Sequence, residues 1–525
     1  MIKIIFILTF KSLLLSIDIS KYELPIGLTD EEKLRLDEIN LMAQSTDPPV
    51  GPLRNVSEFE RMQGVLIRYP FGISNTIISE ISEDVKVYCL VSSSLETAAY
   101  NSMNNSGVNM NNVEFILGQT DSYWTRDYGP WWVVDGQKNM SVVDFTYNRP
   151  RPNDNDAPLK VSDYLEVPFY ASDIIHAGGN YMTDGLGISA SSDLVFFENE
   201  DSDSLILDLM YNYYGIQTYH VIDDPNNTYI DHIDCWGKYL SPTKVLIREV
   251  PENHPQYEMI EQTAAYFLNT VNKWGEPWEL FRVWTPNNQP YTNSLILNQK
   301  ILVPITGSGF DEGALLAYQE AMPGYEVLGF SGTWESTDAL HCRIIGIPDL
   351  EMLQIFHNPI NDGTIPIENG YLVNVMIDDL SESGLKEDSL SILWKTSSMN
   401  DWNEEALLDD VENMNGFLGW IPSQTDIEII EYFIKAADSS GRSERHPIAG
   451  WHSFEAMPTE ACIGWVLGDL DNSFDLNILD VLLMSDHIAN NEVDGVCLEF
   501  VSDINNDNSI TILDLIYLTN MIMNP

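Results

Sequence analysis

A buried β-strand is predicted by the run Val85-Lys-Val-Tyr-Cys-Leu-Val91, and this run sets the fold class of the first part of the chain. A second run of the same type, Gly64-Val-Leu-Ile-Arg68, precedes it. Helical patterns such as Asp311–Met322 follow these runs after glycine turns, and the alternation continues from Val56 to about Pro348. Short strands that alternate with helices are typical of an α/β domain, which we place at residues 50–348.

The rest of the chain changes pattern beyond residue 348. A length of 525 residues suggests about three domains. From 349 to 455 the apolar runs shorten and turns become frequent, which predicts a small antiparallel β-sandwich of the Ig-like type. We expect a linker at 456–467 and a small helical module at 468–525. The predicted strands of the sandwich include Leu372–Ile377, Leu390–Trp394 and Glu428–Ile434.

The N-terminus resembles a signal peptide over residues 1–20, because a lysine is followed by an apolar run. We therefore expect export and a secreted, extracellular protein. A leader segment follows at 21–49. In it, Thr29 and Glu32 stand at the two positions of a capping box, which predicts a helix over Thr29–Met42.

The charge of the chain excludes one class of partner. There are 26 basic and 80 acidic residues, so the formal net charge is −54. Nucleic-acid binding needs basic patches that contact phosphates, and we therefore expect no nucleic-acid partner. The charge would attract cationic substrates such as arginine side chains, although salt screens the attraction beyond about 10 Å, and solubility alone is its more common cause. Beyond the N-terminus, no apolar stretch approaches the ~20 residues of a membrane span.

Cysteines are few. Five are too few for a disulfide scaffold, and an odd count leaves at least one thiol free in an exported protein. Two of them flank the C-terminal module and could pair with each other. The five are Cys89, Cys235, Cys342, Cys462 and Cys497, of which the last two are the flanking pair.

An acidic repeat occupies the C-terminal module. The loop that begins at Asp469 is matched by one that begins at Asp503, and each runs into an apolar helix, Val481–Ile488 or Leu515–Met521. Oxygen-bearing side chains recur along both loops in the rhythm of a calcium loop, because this hard cation takes six to eight oxygen ligands. Two acidic turns would be the simpler interpretation, but the matched register favours calcium. The predicted ligands are Asp469, Asp471, Ser473, Asp475, Asp480, Asp503, Asn505, Asp507, Ser509 and Asp514.

The repeat resembles the dockerin type I repeat, because each loop ends on Asp within an Ile-Leu-Asp sequence that continues as a helix. The resemblance implies calcium-dependent folding and a cohesin-like docking partner. The loops differ from the usual calcium loop in having Phe474 and Asn508 where glycine is preferred.

A candidate catalytic set lies in the α/β domain. The stretch Tyr229-Ile-Asp-His232-Ile-Asp234 places a histidine and a carboxylate two residues apart, which in an extended strand puts both on one face. A distant cysteine, Cys342, could supply a nucleophile if folding brings it near. A His-x-Asp pair is more often structural, and Cys235 is a rival nucleophile that stands directly beside the pair.

Four further motifs accompany this set. The first is Trp124-Thr-Arg-Asp127-Tyr-Gly-Pro. In the second, prolines follow Arg149 and Arg151, which should make both arginines extended and align their guanidinium groups for a carboxylate. In the third, His176-Ala-Gly-Gly-Asn180, the glycines permit close approach of the backbone, and the histidine is interpreted as structural. The fourth is Asn293-Ser before a predicted strand.

Taken together and in this order, these motifs resemble the Porphyromonas-type peptidylarginine deiminase family, which is similar to the agmatine deiminases. The resemblance covers about residues 50–348 and implies the guanidino-modifying pentein fold, a five-bladed α/β propeller. It implies Cys342, His232, Asp127 and Asp234 as catalytic residues. It also implies substrate binding by Arg149 and Arg151, with Trp124 against the aliphatic stem and Asn293 lining the site, and it implies no cofactor for the chemistry.

The chemistry agrees with this resemblance. A guanidinium carbon is a poor electrophile, so attack needs a thiolate and a fixed substrate. Two carboxylates can hold the planar cation, and a histidine can protonate the departing ammonia. We predict conversion of arginine, preferably at the C-terminus of a peptide or protein, to citrulline. The alternatives are agmatine deimination to N-carbamoylputrescine, as in putrescine biosynthesis, and, in another class, a secreted scaffold or adhesion protein without catalysis.

Overall fold

The computed structural model describes residues 24–199, 203–367, 369–411, 413, 415–458, 466–473, 475–490, 496–505 and 509–523. The chain divides into two compact units, residues 1–352 and 353–525. The predicted signal peptide lies outside the described residues. Within the described residues, no helix is long and apolar enough to cross a membrane.

The first unit is built from short strands. They are β1 (Arg54–Asn55), β2 (Met62–Arg68), β3 (Lys86–Val91), β4 (Val113–Leu117), β5 (Trp131–Val134), β6 (Met140–Tyr147), β7 (Phe169–His176), β8 (Met182–Thr183), β9 (Ile188–Ser192), β10 (Thr218–Ile222), β11 (Gly237–Tyr239), β12 (Lys244–Glu249), β13 (Glu279–Trp284), β14 (Leu295–Leu297), β15 (Lys300–Ile305), β16 (Glu326–Ser331) and β17 (Ile345–Pro348).

Helices connect many of these strands. They are α1 (Asp37–Met42), α2 (Asn75–Asp84), α3 (Glu96–Asn104), α4 (Thr125–Tyr128), α5 (Pro152–Asn155), α6 (Ala157–Leu165), α7 (Leu194–Glu198), α8 (Asp203–Tyr214), α9 (Tyr257–Leu268) and α10 (Asp311–Ala321).

The strands of the first unit form five small sheets in the described part of the chain, and one pattern recurs in all of them. A central strand pairs antiparallel with one neighbour and parallel with the next strand along the chain, as β12 does with β11 and β13. The parallel pair is joined through a helix, as parallel strands require. The last strand, β17, pairs with β2 and so brings both ends of the unit into one sheet. The α/β fold predicted from the sequence is confirmed.

Local sequence explains these elements. Apolar runs without charge became fully buried strands such as β3, where only Lys86 is partly exposed, because both faces of the sheet are covered. Helix α10 begins at Asp311, whose carboxylate accepts the backbone N–H groups of Thr306 and Gly307 at 3.1 and 2.8 Å. Helix α2 and its sheet share one apolar core, in which Ile77 and Val87 are almost fully buried.

The leader segment differs from the continuous helix predicted over Thr29–Met42. The capping box is present, because Thr29 N donates to Glu32 Oε2 at 2.8 Å and Glu32 N donates to Thr29 Oγ1 at 3.2 Å. It caps only a single 3₁₀ turn, Glu32–Leu34, before α1 begins at Asp37. The helix prediction was therefore wrong across Arg35 and Leu36, because Glu32 also binds Arg151 and the chain must turn there.

The second unit begins with two antiparallel sheets. Its strands are β18 (Leu353–His357), β19 (Tyr371–Asp379), β20 (Ser391–Thr396), β21 (Asn403–Ala406), β22 (Leu408–Asp409), β23 (Gly416–Ile421), β24 (Glu428–Ala437), β25 (Ser443–His446) and β26 (His452–Ala456). Strand β19 alternates buried and exposed residues, as expected of a sheet with one covered face. Val373 of one sheet and Ile392 of the other belong to the same buried cluster. The Ig-like topology stays a prediction.

Three helices complete the second unit, namely α11 (Ile478–Asn490), α12 (Val496–Ser502) and α13 (Ile512–Met523). Met484 and Leu518 are buried together in the small apolar cluster of this module. Cys497 is disulfide-bonded. Its predicted partner, Cys462, lies outside the described residues.

Candidate functional site

The candidate site is assembled on short turns that follow strands. Asp127 lies on α4, which contacts the 3₁₀ turns at Gly178–Asn180 and His341–Arg343. Asn180 holds the His232–Asp234 turn in place, because its Oδ1 accepts the backbone N–H of Ile233 at 3.2 Å and of Ser192 at 2.8 Å. Residues far apart in sequence therefore meet through backbone hydrogen bonds of the turns.

The sulfur of Cys342 lies in this site and is fully buried. Its Sγ donates to Asp234 Oδ2 at 3.5 Å and accepts the side-chain N–H of Asn293 at 3.2 Å. Asn293 also accepts the backbone N–H groups of His341 and Cys342 at 3.0 and 3.4 Å, so it fixes the turn that carries Cys342. Burial, and then the negative charges of Asp234 and Asp127, raise the pKa of the Cys342 thiol well above its ordinary value.

The rival cysteine lies on the other side of the same carboxylate. Cys235 Sγ donates to Asp234 Oδ1 at 3.6 Å. Burial and the charge of Asp234 raise its pKa well above the ordinary value, and its hydrogen bond to Asp234 favours the neutral thiol further. Cys342 also donates to Asp234, but its sulfur in addition accepts an N–H from Asn293, which would stabilise a thiolate. The geometry therefore favours Cys342 as the nucleophile.

Asp127 and His232 form a buried pair, with 3.6 Å between Oδ1 and Nδ1. Within the described residues, neither Asp127 oxygen nor either ring nitrogen has a hydrogen-bond partner. Burial, and then the charge of Asp234, raise the pKa of Asp127 well above its ordinary value. Burial lowers the pKa of His232 to about 3, although Asp234 opposes the shift. His232 is therefore neutral at physiological pH and can accept a proton.

Gly179 lies where the three side chains converge. A Cβ added to it would stand 2.5 Å from Asp127 Oδ1, 2.7 Å from His232 Nδ1 and 3.3 Å from Asp234 Oδ2. This position is the close approach of backbone that the sequence motif predicted. His176 of the same motif bonds Ala177 in its own loop and Tyr219 on β10 instead, in agreement with the structural role predicted for it.

Replacing Gly179 with alanine should cost about 100-fold or more in kcat/KM, because a misplacement of about 1 Å at a reacting group has that effect. The methyl group would displace Asp127 and His232, which cannot retreat into a packed interior. Steady-state kinetics measure the change, with Gly275→Ala as control, since nothing lies within 4 Å of that position. Because Gly275 has a positive φ, its variant should lose some stability but no activity once folded. Full activity in Gly179→Ala would contradict this geometry.

One buried network of ion pairs was not predicted from the sequence. His341 bridges two carboxylates, with Nδ1 at 2.7 Å from Asp234 Oδ2 and Nε2 at 2.5 Å from Glu58 Oε2. Lys238 and Arg126 lie 2.9 Å from Glu58, and these cations with His341 outweigh burial and hold the pKa of Glu58 well below its ordinary value. Glu58 fixes His341 and, through it, the orientation of Asp234. No local motif marks Glu58, so sequence reasoning had no signal for it.

The predicted substrate-binding residues contact the leader segment. Arg151 pairs with Glu32, with 2.7 Å between Nε and Oε1, and Arg149 Nε donates to the backbone oxygen of Ile26 at 3.2 Å. Trp124 Nε1 donates to the backbone oxygen of Leu24 at 3.1 Å. Trp124, Arg149 and Arg151 therefore all lie against the leader segment and bind its carbonyl and carboxylate groups, and their role in substrate binding stays a prediction.

The predicted calcium ligands cluster in the second unit. Carboxylate oxygens of Asp469, Asp471 and Asp480 lie within 4.8 Å of one another, a spacing that suits a shared divalent cation. Asp480 and Asp514 occupy equivalent positions: one oxygen of each accepts the backbone N–H of Leu470 or Ile504, at 2.8 and 2.9 Å. Asp507 lies outside the described residues.

Three comparisons place the first unit among known proteins. The family model described as "Porphyromonas-type peptidyl-arginine deiminase" matches residues 72–345, just over half of the chain. A protein of Yersinia pseudotuberculosis named "Putative agmatine deiminase" is 25% identical over 264 residues, which cover 42% of this chain and 72% of that protein. The crystal structure of a "putative peptidyl-arginine deiminase" aligns with a TM-score of 0.51 at 20% identity and covers 57% of this chain and 99% of that one. The agmatine deiminase of Enterococcus faecalis aligns with a TM-score of 0.50 at 17% identity and covers 58% and 99%.

Proposed function

Because this chain belongs to the Porphyromonas-type peptidyl-arginine deiminase family, we propose that it hydrolyses the guanidinium group of a C-terminal peptidyl-arginine to citrulline and ammonia. Members of this family are guanidino-modifying deiminases that hydrolyse amidines and need no cofactor for the reaction. We also propose that the five small sheets are the blades of a pentein propeller. Their recurring strand pattern supports this arrangement.

One observation supports deimination above all: two buried carboxylates and a neutral histidine converge on Gly179, and the thiol of Cys342 contacts one of these carboxylates, that of Asp234. Asp234 is near enough to raise the cost of ionising Asp127, as the raised pKa of Asp127 indicates. A planar guanidinium cation could donate hydrogen bonds to both and remove this cost. The site is therefore complementary to a cation.

The reaction follows from the protonation states. Neutral His232 takes the proton of the Cys342 thiol as the cationic substrate enters, and the thiolate attacks the guanidinium carbon. The protonated His232 gives that proton to the leaving nitrogen, and ammonia departs while a C–S bond remains. His232 then takes a proton from water, which adds to the same carbon. The C–S bond breaks, the thiol is restored, and the oxygen of water stays in the ureido product.

Arg149 and Arg151 support the choice of a peptide substrate with a free carboxylate. Arg151 is 1% exposed and already binds a carboxylate, that of Glu32, through two guanidinium nitrogens. Agmatine has no carboxylate, so the buried guanidinium groups of Arg149 and Arg151 would form no ion pair with it. The names of the curated relatives favour agmatine instead, which makes agmatine deimination the second candidate.

The test measures citrulline and N-carbamoylputrescine from benzoyl-arginine, a peptide that ends in arginine, a peptide with internal arginine, and agmatine. We expect the terminal arginine to be preferred, and Arg151→Gln to reduce that preference at least about 30-fold, because loss of a buried charge partner costs about 2 kcal/mol or more. The readout is the ratio of turnover of the terminal-arginine peptide to turnover of agmatine within one variant, because a change in the leader segment would affect the turnover of both substrates. Better turnover of agmatine would favour the second candidate, and no product from any substrate would support the scaffold alternative.

We propose, separately, that the C-terminal loops bind calcium and that the module docks a cohesin-like partner. The clustered oxygens of Asp469, Asp471 and Asp480 support the first part, and the resemblance to dockerin repeats supports the second. We also propose that the protein is exported, and the N-terminal sequence alone supports this.

Chelation should therefore lower the unfolding temperature of the C-terminal module and spare turnover. A bound ion present at 100 times its dissociation constant stabilises a fold by about 2.7 kcal/mol, and this stabilisation disappears with the ion. Calorimetry with and without EGTA, beside a citrulline assay, measures both effects, and Asp480→Asn should reduce the effect of EGTA on the module, because only the second loop would still bind calcium. Loss of activity on chelation would mean that the first unit also needs calcium for turnover.

A further inference from the structure

The residues 24–32, hereafter the N-terminal segment, lie along the predicted substrate-binding residues, with a bend at Ile26 and Gly27 and a turn at Asp30 and Glu31. Successive backbone oxygens accept from the binding residues: Leu24 from Trp124 at 3.1 Å, Pro25 from Arg151 at 2.8 Å, and Ile26 from Arg149 at 3.2 Å. Gly27 O accepts from Arg151 at 3.1 Å. These donors therefore form a continuous track for a peptide backbone.

The side chains of the segment complete the contact. Ile26 is 3% exposed and belongs to the same apolar cluster as Trp124, Ile230 and the nucleophile Cys342. Gly27 packs on the ring of Tyr229 so closely that a Cβ would stand 2.6 Å from Cε2. The segment thus lies against the wall that would contact the aliphatic stem of an arginine, and a substrate could not use that wall at the same time.

A carboxylate of the segment lies on the arginine pair. Glu32 contacts Arg151 at 2.7 and 3.2 Å, and the hydrogen bonds from Arg151 and Thr29 outweigh burial and keep its pKa below the ordinary value. Since Arg151 would bind the substrate carboxylate in the proposed reaction, Glu32 takes the place of that group. Peptide carbonyls and a following carboxylate are the chemistry that this side of the site recognises.

We propose that the track formed by Trp124, Arg149 and Arg151 is a peptide-binding site, and that the chain's own residues 24–32 occupy it and inhibit the enzyme by competing with substrate. This inference rests on the proposed function for the identity of the competing substrate. The ligand class is a peptide with an apolar stretch and a carboxylate on its C-terminal side. Displacement or removal of the segment activates the enzyme.

The test compares the parent with Ile26→Ala and Glu32→Ala, which weaken the apolar and the ionic contact and leave every catalytic residue itself unchanged. Alkylation of Cys342 by iodoacetamide, followed by peptide mass spectrometry, should be about tenfold faster in either variant, which corresponds to about 1.4 kcal/mol. With a terminal-arginine peptide, KM should fall to a similar extent while kcat stays the same, because the segment competes for the free enzyme. Leu34→Ala is the matched control, since Leu34 follows the segment and is 84% exposed.

A synthetic peptide of residues 24–32 supplies a second measurement. Added to Ile26→Ala, it should slow alkylation and inhibit turnover competitively, and the same peptide with alanine at position 26 should be much weaker. Unchanged alkylation in both variants would overturn the inference, whatever the activity. Faster alkylation without any deimination product would uphold the inference and overturn the proposed function instead.

Discussion

Replacing Cys342 with serine is expected to reduce deimination by about 10⁴-fold or more, the scale seen when a covalent nucleophile is removed. A serine hydroxyl cannot ionise at the site, because burial and two nearby carboxylates already oppose ionisation of the more acidic thiol. The fold should persist, since serine keeps the size of the side chain and Asn293 can still donate to it at the position of Sγ. Citrulline release and circular dichroism measure the two effects.

Cys235→Ser is the matched control for this experiment. Both cysteines are buried and both contact Asp234, one at each carboxylate oxygen. Only Cys342 accepts an amide N–H at sulfur, so loss of Cys235 should leave most of the activity. If Cys235→Ser were inactive and folded while Cys342→Ser retained turnover, the assignment of the nucleophile would be reversed.

Asp127→Asn should combine a large loss of activity with a gain in stability. We expect turnover to fall by about 10³-fold, because the amide cannot accept both charge-assisted bonds that position the guanidinium. In the parent, the Asp127 carboxyl is buried without a hydrogen-bond partner among the described residues, and its pKa is raised. The amide carries no charge, so the folded state gains stability at neutral pH and the unfolding temperature should rise by about 2 °C or more.

The pH dependence of this stabilisation has a definite sign. Because the pKa of Asp127 is higher in the folded than in the unfolded chain, the parent loses stability as pH rises from about 3.9, the unfolded value, through the raised folded value. Below pH 4 the parent and Asp127→Asn should therefore unfold at similar temperatures, and the variant should gain as pH increases. Thermal unfolding at several pH values measures this.

Asp144→Asn is the control that separates stability from activity. Asp144 on β6 is also buried, and burial raises its pKa well above the ordinary value, although Phe145 N donates to it at 2.9 Å. Within the described residues, Asp144 forms no hydrogen bond or ion pair with a catalytic side chain, so its replacement should stabilise the fold and leave turnover intact. A stabilisation by Asp127→Asn that is the same at pH 4 and pH 8 would contradict the electrostatic explanation.

Much of the fold could be predicted from local sequence, because the formation of a strand or a helix depends largely on residues that are close together in the chain. The run Val85–Val91 corresponds to β3, and the predicted helix Asp311–Met322 corresponds to α10 to within one residue. The family resemblance named Asp127, His232, Asp234 and Cys342, and the structure brings them into one site. Glu58 was missed, since its partners His341, Lys238 and Arg126 are distant in sequence.

The sequence by itself therefore determined the order of strands and helices, the family, and the side chains available for chemistry, because periodicity and short motifs act within a few residues. Only the tertiary structure decided which oxygen of Asp234 meets Cys342 rather than Cys235, how closely Gly179 approaches the catalytic side chains, and that Glu32 binds Arg151. The contacts of Asp234 with Cys342 and of Glu32 with Arg151 join residues 108 and 119 positions apart, and their geometry depends on how separate sheets and turns pack. No local pattern carries that information.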